Sequence, residues 1–308
     1  MRAVDADFPL RTAARFDLPP LTRDARGSIR RVGVEVEFMG LGVRSAARAL
    51  AAAFGGTPSE EDPHAVHVLD TSIGRLTVEL DIRDVHPQRH EAMPRIRLGA
   101  AGAAWLGSAL GPVVPRELIT APVPIDGLAV VDRAVDVLRR AGARGRGTTL
   151  FGSLGLHFNV DPPDLDAETI TAVLKAFLLL HPGPERGTAG WARFLPQPFP
   201  DSYVRRVVAP DYWPDMATLA GDYLAANPTR DRALDLLPLF LHTDHGRIRT
   251  TLPYEKIKGR AVFHYRLPRA HVGDPAWSIA PDWNRWVAVE TLAHDRERLE
   301  AFGRAAAA

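Results

Sequence analysis

Residues Arg31–Phe38 read RVGVEVEF, and apolar side chains occupy every second position of this stretch. Such strict alternation predicts a β-strand with Gly33, Glu35 and Glu37 on one face and the apolar residues on the other. Carboxylates two residues apart on a strand are separated by about 6.6–7 Å. They are too far apart to share a proton, but they are well placed to bind one or two hard cations that relieve their mutual repulsion.

Three further segments, Arg75–Ile82, Gly155–Asp161 and Ala261–Arg266, show the same alternation. A half-solvated antiparallel sheet also alternates apolar and charged residues. An ordinary solvent-facing sheet is richer in Lys, Thr and Ser, however, whereas these segments carry metal-ligating and phosphate-binding residue types. The alternation therefore indicates a functional polar face. Its predicted members on these segments are Thr77, Glu79 and Asp81, then His157 and Asn159, and finally His264 and Arg266.

The pattern along the chain predicts an α+β fold in which helices cover the apolar face of a largely antiparallel sheet. A turn signal at 70–74 joins a strand over His64–Leu69 to the Glu79 strand as a hairpin. A further strand is predicted over Val113–Thr120. Helices are predicted over Val43–Phe54, 89–110, Leu128–Ala141, Ala167–Leu180, 214–226, 229–241 and Trp283–Phe302.

The sequence predicts a lead-in followed by one domain that contains a proline-rich segment. Residues 1–28 have no sustained period, which predicts an extended lead-in. Residues 29–308 are interpreted as a single domain because no repeat or convincing linker divides them. Within that domain, residues 181–213 are rich in proline and form either a substrate lid or an insertion that packs on the surface.

The composition excludes several classes of function. The 308 residues include 38 Lys or Arg and 37 Asp or Glu, for a net charge of +1, which argues against partners such as nucleic acid or anionic membrane. The chain has no cysteine, so any metal must take oxygen or nitrogen ligands. It shows neither a signal peptide nor an apolar run of about 20 residues, which predicts a soluble cytoplasmic protein.

The order of the motifs resembles that of the amidoligase family. Its members are similar to the carboxylate–amine ligases of the glutamine synthetase and glutamate–cysteine ligase superfamily. The resemblance extends over about residues 30–160. The segments that carry it are GVEVEF at 33–38, GG at 55–56, VELD at 78–81, RELITAP at 116–122 and GLHFN at 155–159.

The resemblance implies that residues 29–308 form a glutamine synthetase-like catalytic domain that binds ATP and Mg²⁺, or Mn²⁺. The implied reaction is an ATP-dependent formation of an amide or peptide-type bond through an acyl phosphate. Crowded phosphate oxygens then require several carboxylates that converge on one cleft with divalent metal. By position, Glu35, Glu37 and His157 match the metal ligands of the superfamily, and Glu79 or Glu117 supplies further coordination. Catalytic roles are predicted for Arg266, Glu117 and Asp81, and nucleotide contacts for Asn159, Lys256 and Lys258.

The late strand departs from the family pattern. The superfamily commonly presents Glu-x-Arg there, with Glu on metal and Arg on phosphate, whereas this chain has His264-Tyr265-Arg266. Arg266 keeps the planar donors that suit phosphate. His264 keeps a nitrogen ligand, but imidazole suits magnesium less well than a carboxylate and favours manganese or a different metal occupancy.

Two alternative functions fit the same residues. One is a degenerate family member that binds a nucleotide or peptide as a scaffold. The other is a metal-independent hydrolase that uses a carboxylate pair, such as a glycosidase. Release of ADP that depends on magnesium distinguishes the ligase from both. The partners expected for the ligase are small-molecule or peptide carboxylates and amines, and the sequence leaves oligomerisation open.

Overall fold

A computed structural model describes residues 14–81, 86, 114–146, 148–149, 152–181, 196–252 and 257–307. The strands in these ranges are β1 (Arg31–Phe38), β2 (Thr57–Asp62), β3 (Ala65–Leu69), β4 (Leu76–Leu80), β5 (Arg116–Thr120), β6 (Val123–Pro124), β7 (Thr148–Thr149), β8 (Gly152–Ser153), β9 (Leu156–Val160), β10 (Leu234–Asp235) and β11 (Phe263–Leu267). The helices are α1 (Val43–Phe54), α2 (Ala129–Arg140), α3 (Ala167–Leu180), α4 (Asp201–Val208), α5 (Met216–Ala226), α6 (Leu237–Thr243), α7 (His245–Thr251), α8 (Ala280–His294) and α9 (Arg296–Ala307).

One large sheet organises the described part of the chain. Its strand order is β10-β11-β9-β1-β5-β4-β3-β2, and β6 also pairs with β1. Every pairing in this sheet is antiparallel. Strands β7 and β8 form a separate small hairpin. The predicted α+β fold with a largely antiparallel sheet is confirmed.

The apolar face of the sheet is sealed by helices. On β1, Val32, Val34, Val36 and Phe38 are all 0 % exposed, as the alternating pattern predicts. Helix α8 covers the β9 and β11 end, where aromatic rings from sheet and helix meet. The pairs Phe158–Trp283, Phe263–Trp286 and Tyr265–Trp286 have ring centroids 5.7, 5.5 and 5.5 Å apart. Full burial of each such side chain stabilises the fold by about 1.5–3 kcal/mol. The packing of α8 therefore holds β9 and β11 in place.

A buried ion pair fixes α8 to the start of β1. Arg30 donates through two nitrogens to the two carboxylate oxygens of Glu290, each at 2.7 Å, and Trp286 Nε1 donates to Glu290 at 2.6 Å. Arg30 and Glu290 are 1 % and 5 % exposed. Removal of either partner would leave an uncompensated buried charge, which typically costs about 3–5 kcal/mol.

Most predicted elements are observed. Helix α1 has the predicted bounds and stops at Gly55 and Gly56, which both have positive φ. Helix α3 also has its predicted bounds, and α2 and α5 lie within one or two residues of theirs. The predicted hairpin is formed by β3 and β4.

Two predictions are wrong in part. The helix predicted over 229–241 begins only at Leu237, and Leu234–Asp235 within the predicted range form β10 instead. The single closing helix is two helices, because the extended backbone of Asp295 separates α8 from α9. Helix α4 and strand β2 were not predicted. Residues 14–28 contain no helix, and the extended lead-in over 1–28 stays a prediction. The helix predicted over 89–110 and residues 182–195 of the proline-rich segment lie outside the described residues. None of the described helices is both long and apolar enough to cross a bilayer.

Candidate active site on the polar face of the sheet

The register of the strands brings the predicted polar positions together. Residues directly opposite in an antiparallel sheet point to the same face, with Cβ atoms about 4.5–5.5 Å apart. The opposed pairs are Glu35–His157, Glu37–Glu117, Glu79–Glu117, Arg266–His157, His264–Asn159 and His264–Asp235. These residues form a continuous surface that we call the polar face.

Three carboxylates, Glu37, Glu117 and Glu79, lie side by side on β1, β5 and β4; we call them the acid row. Each is only 8–9 % exposed. Burial, reinforced by the charges of the surrounding carboxylates, raises the pKa of Glu117 well above its usual 4.5. Burial also raises the pKa of Glu37. Adjacent buried carboxylates are unfavourable when ionised without a countercharge, so the acid row fits a bound cation.

Asp81 adjoins the acid row although it lies one residue beyond β4. Its charge contributes to the raised pKa of both Glu37 and Glu117, after the larger effect of burial. Asp81 and the three carboxylates of the acid row therefore lie together at one end of the polar face.

Glu35 has a different environment from the acid row. Its Oε2 lies 3.0 Å from His157 Nδ1, and its Oε1 accepts a hydrogen bond from Asn159 Nδ2 at 2.9 Å. Burial acts to raise the pKa of Glu35, but its hydrogen bond and electrostatic interaction with His157, aided by His264 and Asn159, hold that pKa far below 4.5. Glu35 is therefore an ionised carboxylate at neutral pH.

His264 is held at the opposite end of the polar face. It is 2 % exposed, and its Nδ1 lies 3.4 Å from Asp235 Oδ2, which also accepts from Arg230 Nε at 3.0 Å. Burial lowers the pKa of His264 to about 4, so its ring is neutral at pH 7. Its Nε2 is buried without a hydrogen-bond partner. Together, Glu35, His157 and His264 present one ligand atom each, all within 4.8 Å of one another.

Arg266 stands beside this histidine end, directly across from His157. Its Nη1 donates to the backbone oxygen of Arg230 at 3.1 Å, and its Nε is buried without a partner. A guanidinium with unused donors beside metal-ligating groups is suited to a phosphate oxygen.

The structure brings nine of the eleven predicted site residues to the polar face or its edge. Lys258 is instead exposed in the loop before β11, and Lys256 lies outside the described residues.

Sequence reasoning missed Asp235 and Arg230, because the leucine-rich stretch around Asp235 also matches a helix. The alternation of Leu234, Asp235 and Leu236, shortly before a proline, was the available signal.

Gly155 lies between two of the predicted ligands. Its N–H donates to Glu37 Oε2 at 2.9 Å, and a Cβ added there would lie 2.7 Å from His157 Nε2 and 2.8 Å from Glu37 Oε1. Gly155→Ala is therefore expected to displace both side chains and to destabilise the protein by about 1–3 kcal/mol. Thermal unfolding measures the stability, and calorimetry with Mg²⁺ or Mn²⁺ measures the loss of cation binding.

The matched control for this change is Gly33→Ala, because Gly33 on β1 lies on the same face of the sheet as the predicted ligands. A Cβ at Gly33 would meet only Asn159, with its nearest atom at 3.5 Å, an ordinary contact. The control should retain stability and cation binding. Equal behaviour of the two alanine variants would contradict the crowded geometry at Gly155.

Glu117→Gln is expected to stabilise the cation-free protein at neutral pH. The pKa of Glu117 is raised in the folded state, so wild-type stability falls as pH rises from about 4.5 toward that raised pKa, by up to about 1.4 kcal/mol per pH unit. Glutamine does not titrate and escapes this loss. With a chelator at pH 7.5, its melting temperature should exceed that of wild type, by about 2–4 °C for each kcal/mol relieved.

The two proteins should converge near pH 4, where the carboxyl is protonated in both folded and unfolded states. Glu60→Gln, at an exposed carboxylate that pairs with Arg44, controls for the loss of one charge. If Glu117→Gln were less stable than wild type at pH 7.5, ionisation of Glu117 in the acid row would not destabilise the folded protein.

Comparison with known proteins identifies a family. A family model described as "Putative amidoligase enzyme" matches residues 28–288, which is most of the chain and includes every residue of the polar face. No curated protein and no solved structure matches significantly. The chain therefore belongs to the amidoligase family.

Proposed function

We propose that this protein is an ATP-dependent carboxylate–amine ligase, with the polar face as its active site. The observation that carries the proposal is the convergence of the acid row, Glu35, His157 and Arg266 on one face of the sheet. Membership of the amidoligase family supports ligase chemistry. The glutamine synthetase-like character of the sheet is part of the same proposal.

The ligand atoms of the polar face fit divalent cations. The acid row offers only oxygen, the ligand preferred by Mg²⁺, and its buried like charges favour a cation. Glu37, Glu79 and Glu117 would hold one cation, and Glu35 and His157 would take part in holding a second. When bound, the metal supplies positive charge that neutralises the phosphate oxygens of ATP.

The reaction is proposed to proceed in two displacements. A substrate carboxylate oxygen attacks the γ-phosphorus of ATP, the bond from this phosphorus to the β–γ bridging oxygen breaks, and ADP leaves. The amine nitrogen then attacks the acyl carbon, its bond to the phosphoryl oxygen breaks, and phosphate leaves as the amide forms. The cationic amine loses one proton to a base before its nitrogen attacks, and it loses a second proton, which leaves with the phosphate, as the amide forms.

Three residues of this chain have proposed roles in these displacements. Arg266 donates to oxygens of the transferring phosphoryl group as charge spreads over them. Glu117, in the middle of the acid row, accepts the first proton of the amine through its carboxylate in the ionised form. Asp81, at the edge of the acid row, attracts the amine in its cationic form before this transfer. Asn159, Lys256 and Lys258 remain proposed nucleotide contacts.

The proposal is tested by incubating the full chain with ATP, Mg²⁺ or Mn²⁺ and a pooled set of amino acids and peptides. ADP release that requires both the pool and the cation, with a condensed product detected by mass, is the expected result. ATP binding without turnover would favour the scaffold alternative, and hydrolysis without ATP would favour the hydrolase. A cytoplasmic location, where ATP is supplied, stays a prediction.

A further inference from the structure

The two ends of the polar face differ in ligand chemistry. The acid row offers carboxylate oxygens, whereas the other end offers one carboxylate, Glu35, and two imidazoles, His157 and His264. These three residues lie on β1, β9 and β11, which are consecutive in the sheet. One ligand atom from each lies within 4.8 Å of the others. Ligands about 2.1 Å from a tetrahedral ion are about 3.4 Å apart, so small side-chain rotations would close this set around a metal.

Two buried atoms at this end indicate that a ligand is expected there. His264 is 2 % exposed and its Nε2 has no partner, and Asn159 is 7 % exposed and its Oδ1 has none. A buried polar atom without a hydrogen bond costs free energy that a bound ion would recover. The rings of His157 and His264 meet edge to face with centroids 5.5 Å apart, which places both beside Glu35.

Asp235 explains why His264 Nε2 is the free atom. Asp235 is fully buried on β10, opposite His264, and its Oδ2 faces His264 Nδ1 at 3.4 Å. Arg230 Nε holds the same oxygen at 3.0 Å. A carboxylate that accepts from one imidazole nitrogen fixes the tautomer and leaves the other nitrogen as the metal ligand. Asp235 is thus a positioning residue, since it acts through His264.

We propose that Glu35, His157 and His264 form a site for a first-row transition-metal dication such as Zn²⁺, which Asp235 organises and which Mg²⁺ does not fill. Two imidazoles and one carboxylate are a ligand set of zinc and iron(II) proteins, whereas Mg²⁺ prefers oxygen alone. The inference rests on the proposed function only in that this site is one of the two metal positions of the proposed ligase. Ion binding is measured without ATP. A lack of ligase activity would therefore leave it standing.

The test is a titration of the metal-free full chain with Co²⁺, whose visible absorption reports nitrogen ligation and coordination number. Wild type is expected to bind Co²⁺ at this site, Zn²⁺ to displace it, and a large excess of Mg²⁺ to leave its spectrum unchanged. His264→Ala should weaken Co²⁺ binding at least about 100-fold. Asp235→Asn should weaken it about 10–100-fold, the usual effect of losing an outer-sphere partner, and shift the absorption band.

Two controls separate this site from general effects. His67→Ala removes a histidine of the same sheet face that bonds to Thr77 and Glu61 instead, and Asp282→Asn removes a buried carboxylate paired with Arg285 on α8. Both should bind Co²⁺ as wild type does. His264→Glu replaces the nitrogen ligand with a carboxylate oxygen. Mg²⁺ should displace Co²⁺ more readily from this variant than from wild type, and the variant should stay folded.

Several results would overturn the inference. Absence of Co²⁺ binding by wild type, displacement by Mg²⁺ at concentrations similar to Zn²⁺, or wild-type affinity in His264→Ala would each remove the transition-metal site. Wild-type affinity and spectrum in Asp235→Asn would remove the positioning role of Asp235 alone.

Discussion

Glu35→Gln is expected to lower the cation-dependent affinity for ATP by more than about 100-fold while the protein stays folded. Loss of an outer-sphere partner alone commonly costs about 10–100-fold in metal affinity, and Glu35 is proposed as a direct ligand. It is also the carboxylate that contacts both His157 and Asn159. Calorimetric titration of ATP with Mn²⁺, a first-row transition-metal dication, measures the effect, and the titration is repeated with a chelator.

The shape of glutamine is close to that of glutamate, so the substitution tests the charge of Glu35 rather than its volume. Glu60→Gln on β2 changes the same chemical group at an exposed site and should leave ATP affinity unchanged. If ATP bound equally well to wild type and Glu35→Gln, with and without chelator, the metal role of Glu35 would be rejected.

Arg266→Lys is expected to lower kcat by about 10²–10³ while the affinity for ATP changes only a few-fold. A planar guanidinium can follow charge as it spreads over the oxygens of the transferring phosphoryl group, whereas an ammonium is a point charge. The buried Nε of Arg266 has no hydrogen-bond partner, so it is available to donate to a phosphate oxygen. Steady-state ADP release and equilibrium ATP binding separate the two parameters.

Arg269→Lys is the matched control, since Arg269 lies three residues beyond Arg266 and its Nη1 is 3.9 Å from Asp282 Oδ1 rather than beside the predicted ligands. It should turn over at the wild-type rate. Equal kcat in Arg266→Lys and wild type would leave Arg266 with only its structural bond to the backbone oxygen of Arg230.

The strands and the polar face were predictable from sequence because alternation is a local property. A period of two assigns each residue of β1, β4, β9 and β11 to a face without knowledge of the partners. The burial of Val34 on one side of β1 and the position of Glu35 on the other follow from that assignment.

The order of the strands was not predictable, because pairing is decided by packing between distant segments. Glu37 and Glu79 both neighbour Glu117 only because β5 lies between β1 and β4. The bond that fixes α8 to the sheet, from Arg30 to Glu290, joins residues 260 positions apart. No window of sequence contains both partners.

Asp235 shows where local reasoning gave the wrong element. The apolar residues around it fit a helix by period, but the two-residue strand β10 gains its stability from pairing with β11. Tertiary pairing thus overrode local preference. The residue that orients His264 was hidden as a result.

The central claim is that a substrate carboxylate attacks ATP on the polar face, and oxygen-isotope transfer tests it most directly. The full chain is incubated with ATP, Mg²⁺ or Mn²⁺ and the pooled amino acids and peptides, their carboxylates labelled with ¹⁸O. An acyl phosphate passes one carboxylate oxygen to phosphate, so the account predicts ¹⁸O-labelled phosphate from wild type and a strong loss of it in Glu35→Gln and Arg266→Lys. Release of only unlabelled phosphate, or of labelled phosphate at equal rates from all three proteins, would contradict it.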